Sequence, residues 1–216
     1  MKKAQVTVGA IAAASANAIC LSQTPVAGPL TLNGASVVDG VAVLDVQRRV
    51  LVTTAANEST RTLTITGTNW QGNAISETVT GPNISTVATN TSFKTVTSIT
   101  ISGNAAGAIT VGTNGVADSP WVRFDDWAPN YISVNCVATG TVNYTVQTTL
   151  DDPNDPSIPV AVGSMAWQNS SVANLVAQTV SRNEGLQYAP MYARVVLNSG
   201  TGSVRSVFLQ SSNVPL

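Results

Sequence analysis

Histidine is absent from this chain of 216 residues, and charged residues make up only 10% of it, against about 25% in average proteins. Zinc enzymes, Ser-His-Asp hydrolases and enzymes with imidazole acid–base catalysis are therefore excluded. Ten basic residues stand against eleven acidic ones, a net charge of −1, so no basic face is expected to bind nucleic acid directly. We predict a chain that is not an enzyme, with no catalytic, cofactor-binding or metal-binding residues and no cofactor.

Long apolar runs and cysteine are also scarce. No stretch approaches the roughly 18 apolar residues of a membrane span, so we expect no membrane partner. Cys20 and Cys136 could form at most one disulfide, and their spacing fits no metal motif. We favour two buried thiols; the alternative is a bridge, which would imply an oxidising location.

The residues that are present favour β-structure. Apolar residues, with Val prominent among them, make up 44% of the chain, and Thr, Ser and Asn dominate the remainder. This composition suits half-buried sheets. Strict alternation over residues 61–68 and 74–80, around a Gly/Asn turn, predicts a hairpin. The same reasoning predicts strands and turns elsewhere: strands at 36–44, 49–54, 93–102 and 108–112, a boundary turn at 113–120, hairpins 131–137/141–147 and 191–197/203–210, and either a short helix or a strand at 171–180.

Short strands at this spacing are typical of sandwiches and jelly rolls. We predict an all-β chain with two small β-sandwich or jelly-roll-like domains, residues 31–117 and 118–216, after an extended N-terminal arm, residues 1–30. The arm resembles a secretory signal in Lys2-Lys3 and Ala16-Asn17-Ala18, but it lacks a Leu-rich centre. We interpret it as an assembly segment that packs on its own body or on a neighbouring subunit.

Three groups of side chains are candidates for a site. The loop at 151–156, with Asp151, Asp152 and Asp155, could bind calcium, but it lacks the EF-hand glycine and distal glutamate, and a rigid solvated turn is favoured. Asp125-Asp126 could resemble a glycosidase pair, but neighbours on a strand face opposite ways. Aromatic side chains could line a carbohydrate groove, although core packing and subunit contacts are favoured: Trp70, Trp121, Trp127, Trp167, Tyr131, Tyr144, Tyr188 and Tyr192.

The cationic pairs Lys2-Lys3 and Arg48-Arg49 could form ion pairs between subunits.

Several segments resemble the structural proteins of tailed-bacteriophage virions. The resemblance covers most of the chain and includes no active-site motif. It is carried by Ile19–Pro25, Leu30–Gly34, Arg48–Thr53, Thr64–Asn69, Gly72–Val79, Phe93–Ile99, Ile109–Thr113, Tyr144–Pro153 and Arg194–Val204.

This resemblance implies a structural component of the virion, assembled in the cytoplasm of the host bacterium. A head decoration or cement protein is the first expectation, with the major capsid protein or other virion proteins as partners and a homo-oligomer as its state. A neck, tail-adaptor or fibre-attachment protein is the first alternative. A glycan- or receptor-binding β-module and a secreted adhesin are the others.

Overall fold

The computed structural model describes residues 2–125 and 130–212. Strands account for 59% of the structure and helix for 3%, so the prediction of an all-β chain is confirmed. The strands are β1 (Lys2–Val8), β2 (Ser15–Gln23), β3 (Gly28–Pro29), β4 (Val37–Val38), β5 (Val41–Thr54), β6 (Thr62–Thr68), β7 (Ala74–Thr80), β8 (Thr86–Ile101), β9 (Ile109–Asp118), β10 (Val122–Arg123), β11 (Asn130–Thr139), β12 (Val142–Thr149), β13 (Gln168–Asn169), β14 (Arg182–Gly185), β15 (Tyr192–Gly200) and β16 (Ser203–Ser212).

The chain divides into two compact units. Unit 1 holds the described residues of 2–11 and 116–212, and unit 2 is Ala12–Gly115. These boundaries differ from the predicted ones at 30/31 and 117/118. Residues 2–8 pair with the last strand, whereas β2 pairs with β9, so the first 30 residues are shared between the units instead of forming a separate extension.

The sheet of unit 2 has the order β9-β5-β8-β6-β7, with β2, β3 and β4 paired to β9, β8 and β5. The hairpin β6–β7 is confirmed, in full register from Thr62↔Thr80 to Thr68↔Ala74. Its turn forms because the Asn69 side chain accepts the backbone N–H groups of Gln71 and Asn73, both at 2.9 Å. Two other expectations were wrong: residues 41–54 form one strand, and β9 runs on through the predicted turn to residue 118.

Alternation along β6 separates the two faces of this sheet. Leu63 and Ile65 are fully buried. The side chains that alternate with them on β6, and those that face these on β7 and β8, carry hydroxyl groups and are half-buried or exposed. We call this surface the threonine face, and it consists of Thr64, Thr66, Thr68, Ser76, Thr78 and Thr95. Burial of the apolar set on one face fixes the strand register, because a slip of one residue would exchange the two sets.

Unit 1 contains two antiparallel sheets. One has the order β1-β16-β11-β14, and the other joins β13, β12 and β15, with β10 beside β15. The core side chains include Val134, Val195 and Phe208, and the Phe208 ring contacts the Phe124 ring edge-on at 5.9 Å. This arrangement is consistent with a β-sandwich.

The prediction of two hairpins in what is now unit 1 was wrong. β11 pairs with β16 and β12 pairs with β15, so each predicted hairpin is a crossing from one sheet to the other. The two crossings lie side by side, since the Gly202 N–H donates to the Thr141 carbonyl at 2.9 Å. A Cβ on Gly200, whose φ is +109°, would lie 2.2 Å from that same carbonyl oxygen, so glycine is required.

Residues 171–180, for which helix and strand were equally open, form one 3-10 turn at Ala173–Leu175. The remainder is irregular, with an isolated bridge between Gln178 and Tyr144. In the parts of the chain that the structure describes, no helix is long and apolar enough to cross a membrane.

Candidate functional site

The acidic loop is held by its own hydrogen bonds. Asp151 accepts the Ala166 N–H at 2.5 Å, and Asp155 accepts those of Ser157 and Ile158 at 2.7 and 2.8 Å. Within residues 2–125 and 130–212, no group of three His, Cys, Asp or Glu side chains could hold a metal ion. The carboxylates therefore cap separate backbone groups, as the favoured rigid turn requires, and they do not converge on a cation.

Asp152 anchors this loop to the sheet below. Its side chain is 5% exposed and accepts hydrogen bonds from the Tyr192 hydroxyl at 2.9 Å and from Arg123 Nη2 at 3.1 Å. Burial alone would raise the pKa of Asp152, but the Asn154 N–H, the Tyr192 hydroxyl and the Arg123 charge together lower it below its ordinary value. Burial also raises the pKa of Tyr192, and its bond to Asp152 adds to the effect.

Three aromatic side chains from distant parts of the sequence meet in unit 1, and we call them the aromatic cluster: Trp121, Trp167 and Tyr192. The ring centroids of Trp121 and Trp167 are 5.4 Å apart at an interplanar angle of 53°. The Tyr192 ring meets Trp121 edge-on at 6.2 Å. Both tryptophans precede short strands, β10 and β13, whereas Tyr192 begins β15.

Arg194 lies against this cluster. Its guanidinium carbon is 4.4 Å from the centroid of the Trp167 ring, a cation–π contact. Its Nη1 donates to Asp118 Oδ2 at 2.7 Å, and its Nε and Nη2 donate to Gln147 Oε1 at 3.0 and 2.8 Å. Arg194 and Gln147 are register partners on β15 and β12, so the sheet itself sets this geometry.

Three other candidate aromatic residues of unit 1 have contacts or exposure of their own. Tyr144 is fully buried, its hydroxyl donates to the Val180 carbonyl at 3.0 Å, and burial raises its pKa. Tyr188 pairs its hydroxyl with Thr148 at 2.6 Å, and Tyr131 is 63% exposed. Trp70 belongs to unit 2, and Trp127 lies outside the described residues. Among the candidate aromatic residues that the structure describes in unit 1, ring contacts therefore join three, those of the aromatic cluster.

The cationic pairs behave differently from each other. Arg48, proposed for ion pairs between subunits, is 1% exposed and pairs with Asp45 of its own unit at 3.1 Å. That expectation is wrong for Arg48, because a buried guanidinium cannot reach a neighbouring subunit. Lys2 and Lys3 are exposed on β1.

Cys20 and Cys136 are free, buried thiols, so the expectation of two buried thiols is confirmed. Burial raises the pKa of Cys20 to about 12. Burial also raises the pKa of Cys136, which accepts a hydrogen bond from Ser206 Oγ at 3.3 Å. Neither thiol is therefore activated as a nucleophile.

Asp125 exchanges hydrogen bonds with Gln210. The Asp125 N–H donates to Gln210 Oε1 at 2.9 Å, and Gln210 Nε2 donates to the Asp125 carbonyl at 2.8 Å. Asp126 lies outside the described residues. Both hydrogen bonds use the main chain of Asp125, and the turn interpretation of Asp125-Asp126 stays a prediction.

The main site feature that sequence reasoning missed is the ion pair of Asp118 and Arg194. These residues are 76 positions apart, and no local motif links them.

Comparison of the chain with protein-family models, curated proteins and solved structures found no match.

Proposed function

We propose that this chain is a structural building block of a tailed-bacteriophage virion, acting as a head decoration or cement protein that stabilises the capsid through contacts between subunits. The resemblance of its sequence segments to virion proteins supports the phage assignment. The observation that carries the structural role is the threonine face of unit 2. Its composition suits burial against another protein surface and supplies no catalytic group.

The threonine face carries hydroxyl and methyl groups and no charge. Its side chains are paired across strands: Thr64 with Thr78 at 2.9 Å, Thr66 with Ser76 at 3.3 Å, and Thr68 with Thr95 at 2.7 Å. Because the hydroxyls already satisfy one another, burying this face leaves few polar groups unpaired. Because the rotamers are held, association also costs less side-chain entropy.

The charge distribution supports the same role. Arg48, Arg61 and Arg194 are paired with carboxylates of their own unit. With a net charge of −1, repulsion between copies is small, and a net charge near zero favours association. The partners in this proposal are the major capsid protein and further copies of this chain.

Quantitative mass spectrometry of particles purified from cells that carry the gene tests this proposal. Hundreds of copies per particle support a decoration protein. A copy number of about six or twelve would assign the chain to a ring at the neck or tail. Absence of the chain from purified particles contradicts the virion role altogether.

A variant of the threonine face tests the contact itself. Thr78→Lys introduces a charge on an exposed position of β7, and we expect its incorporation into particles to fall at least about tenfold. Thr201→Lys, at an exposed position of unit 1, is the matched control and should be incorporated like the wild type. Equal incorporation of both variants, with equal melting temperatures, would show that the threonine face is not the contact.

A further inference from the structure

The tryptophans of the aromatic cluster keep part of their surface in solvent. Trp121 and Trp167 are half-buried, although their rings are in contact with each other. By comparison, Phe124 and Phe208 of the same unit are 3% and 1% exposed. Together, Trp121 and Trp167 give unit 1 an apolar surface of two adjoining indoles that a ligand can contact.

The ring of Trp167 is held in place before any ligand arrives. Arg194 contacts the ring at 4.4 Å, and that guanidinium is fixed by Asp118 and Gln147. A side chain already ordered loses little further conformational entropy on binding, so such an indole is a favourable stacking platform.

The arginines beside the platform are matched by carboxylates. Arg194 is matched by Asp118 at 2.7 Å, and Arg123 by Asp152 at 3.1 Å. A strongly charged ligand therefore finds no unmatched partner among these groups. Amide side chains follow Trp167 directly, because Gln168 and Asn169 are exposed on β13 and can exchange hydrogen bonds with hydroxyl groups.

Two buried polar atoms of the same region lack a partner. Trp121 Nε1, a donor, and Asp118 Oδ1, an acceptor, make no hydrogen bond within the part of the chain that the structure describes. Buried polar groups of this kind are uncommon and call for a missing partner. A hydroxyl group or a water molecule, each of which both donates and accepts, can satisfy either atom.

We propose that the aromatic cluster binds a neutral saccharide, with one hexopyranose ring stacked on Trp167 and its neighbour Trp121. The C–H groups on the apolar face of a pyranose carry partial positive charge and are attracted to the negative face of an indole. The hydroxyls at the ring edge meet the exposed amide of Asn169, which lies two residues along the chain from Trp167 and so faces the same way. This binding activity is additional to the virion role and does not depend on it.

The test titrates the full chain with neutral oligosaccharides built from glucose, galactose or mannose, and with polygalacturonate as an acidic comparison. Calorimetry measures the dissociation constant, and indole ¹⁵N–¹H spectra report each tryptophan. We expect a neutral oligosaccharide to shift the indole signals of Trp121 and Trp167 and to leave that of Trp70 unchanged. This measurement uses the wild-type chain and so does not depend on the folding of a variant.

Substitution of single tryptophans then tests whether Trp167 is the stacking platform. Trp167→Ala should weaken binding by at least about tenfold, whereas Trp70→Ala, a half-buried tryptophan of unit 2, is the matched control and should leave the dissociation constant unchanged. The proposal is overturned if no neutral probe binds at millimolar concentration, or if the acidic polymer binds more tightly than every neutral one. The proposal is equally overturned if Trp167→Ala and Trp70→Ala lose affinity to the same extent, or if only ordered water is found at Trp167.

Discussion

Asp45 and Arg48 together hold one peptide group of the chain, that of Ala12. The Ala12 N–H donates to Asp45 Oδ2 at 2.7 Å, and its carbonyl accepts from Arg48 Nη1 at 3.1 Å. Arg48 Nη2 also donates to the carbonyl of Asn114. One ion pair, of the buried Arg48 and the exposed Asp45, therefore fixes both the first residue of unit 2 and the residue just before its last.

The first prediction concerns this ion pair. Arg48→Met keeps a long apolar stem but removes the guanidinium donors to two backbone carbonyls and to Asp45, so we expect the free energy of unfolding to fall by about 3 kcal/mol. Urea denaturation followed by circular dichroism measures the change. Arg205→Met, at an exposed position of β16, is the control and should change stability by less than about 0.5 kcal/mol. Similar losses in both variants would contradict a special role for Arg48.

The second prediction concerns the crossings between the sheets of unit 1. Gly200→Ala places a methyl group 2.2 Å from the Thr141 carbonyl oxygen at a φ of +109°. We expect a loss of about 3 kcal/mol from the clash and the backbone strain together. Thermal unfolding would show the loss as a lower melting temperature.

Gly115→Ala is the control for this change, because an added Cβ there meets no atom within 4 Å. It should leave stability within about 0.5 kcal/mol of the wild type. An unchanged melting temperature for Gly200→Ala would mean that the two crossings do not lie as close as described.

The third prediction concerns the pH dependence of stability. The pKa of Asp152 is lowered in the folded chain, so the stability it contributes is complete above the ordinary carboxyl pKa of about 3.9. That contribution is lost as the pH falls through the lowered folded value. At pH 7, Asp152→Asn should cost about 2 kcal/mol, the value of hydrogen bonds to a charged group.

Denaturant unfolding of the wild type and of Asp152→Asn, from pH 7 down to about pH 3, measures this linkage. We expect the difference in unfolding free energy to stay constant above pH 5 and to shrink below about pH 4. Asp45, whose pKa is also lowered, contributes equally to both proteins and cancels in the difference. Asp155 does not cancel completely, because the Asp152 charge raises its pKa. A difference that grows on acidification would contradict the assigned direction.

The hairpin β6–β7 could be predicted from the sequence because its information is local. The alternation of apolar and polar residues with period two predicted the strands. In the turn, Asn69 supplies the side-chain acceptor and Gly72 adopts a positive φ of +85°. Local pattern and tertiary pairing agree there, so the sequence alone was sufficient.

The crossings at Gly140 and Gly200 could not be predicted in this way. A glycine turn between two alternating strands looks the same whether the strands pair with each other or enter separate sheets. The deciding contacts, such as Thr139↔Ser203 and Val142↔Gly200, join segments far apart in the sequence. The choice is made by long-range pairing and not by turn chemistry.

The same limit applies to the candidate site. The tryptophans were recognised as candidates, but nothing local to Trp167 indicates that Arg194 supports it or that Asp118 supports Arg194. Ion pairs and ring contacts of this kind depend on which strands become neighbours. The sequence could therefore identify the tryptophans as candidate residues, but it could not predict that they would form this cluster.

The pairing of the first strand with the last has a consequence for synthesis on the ribosome. β1 is made before its partner β16, so Lys2–Val8 stays without this partner while the segments between them are synthesised. Unit 2 is complete once Gly115 has left the exit tunnel and can fold during that interval. Unit 1 is therefore closed only after β16 has emerged, when β1 and β16 pair.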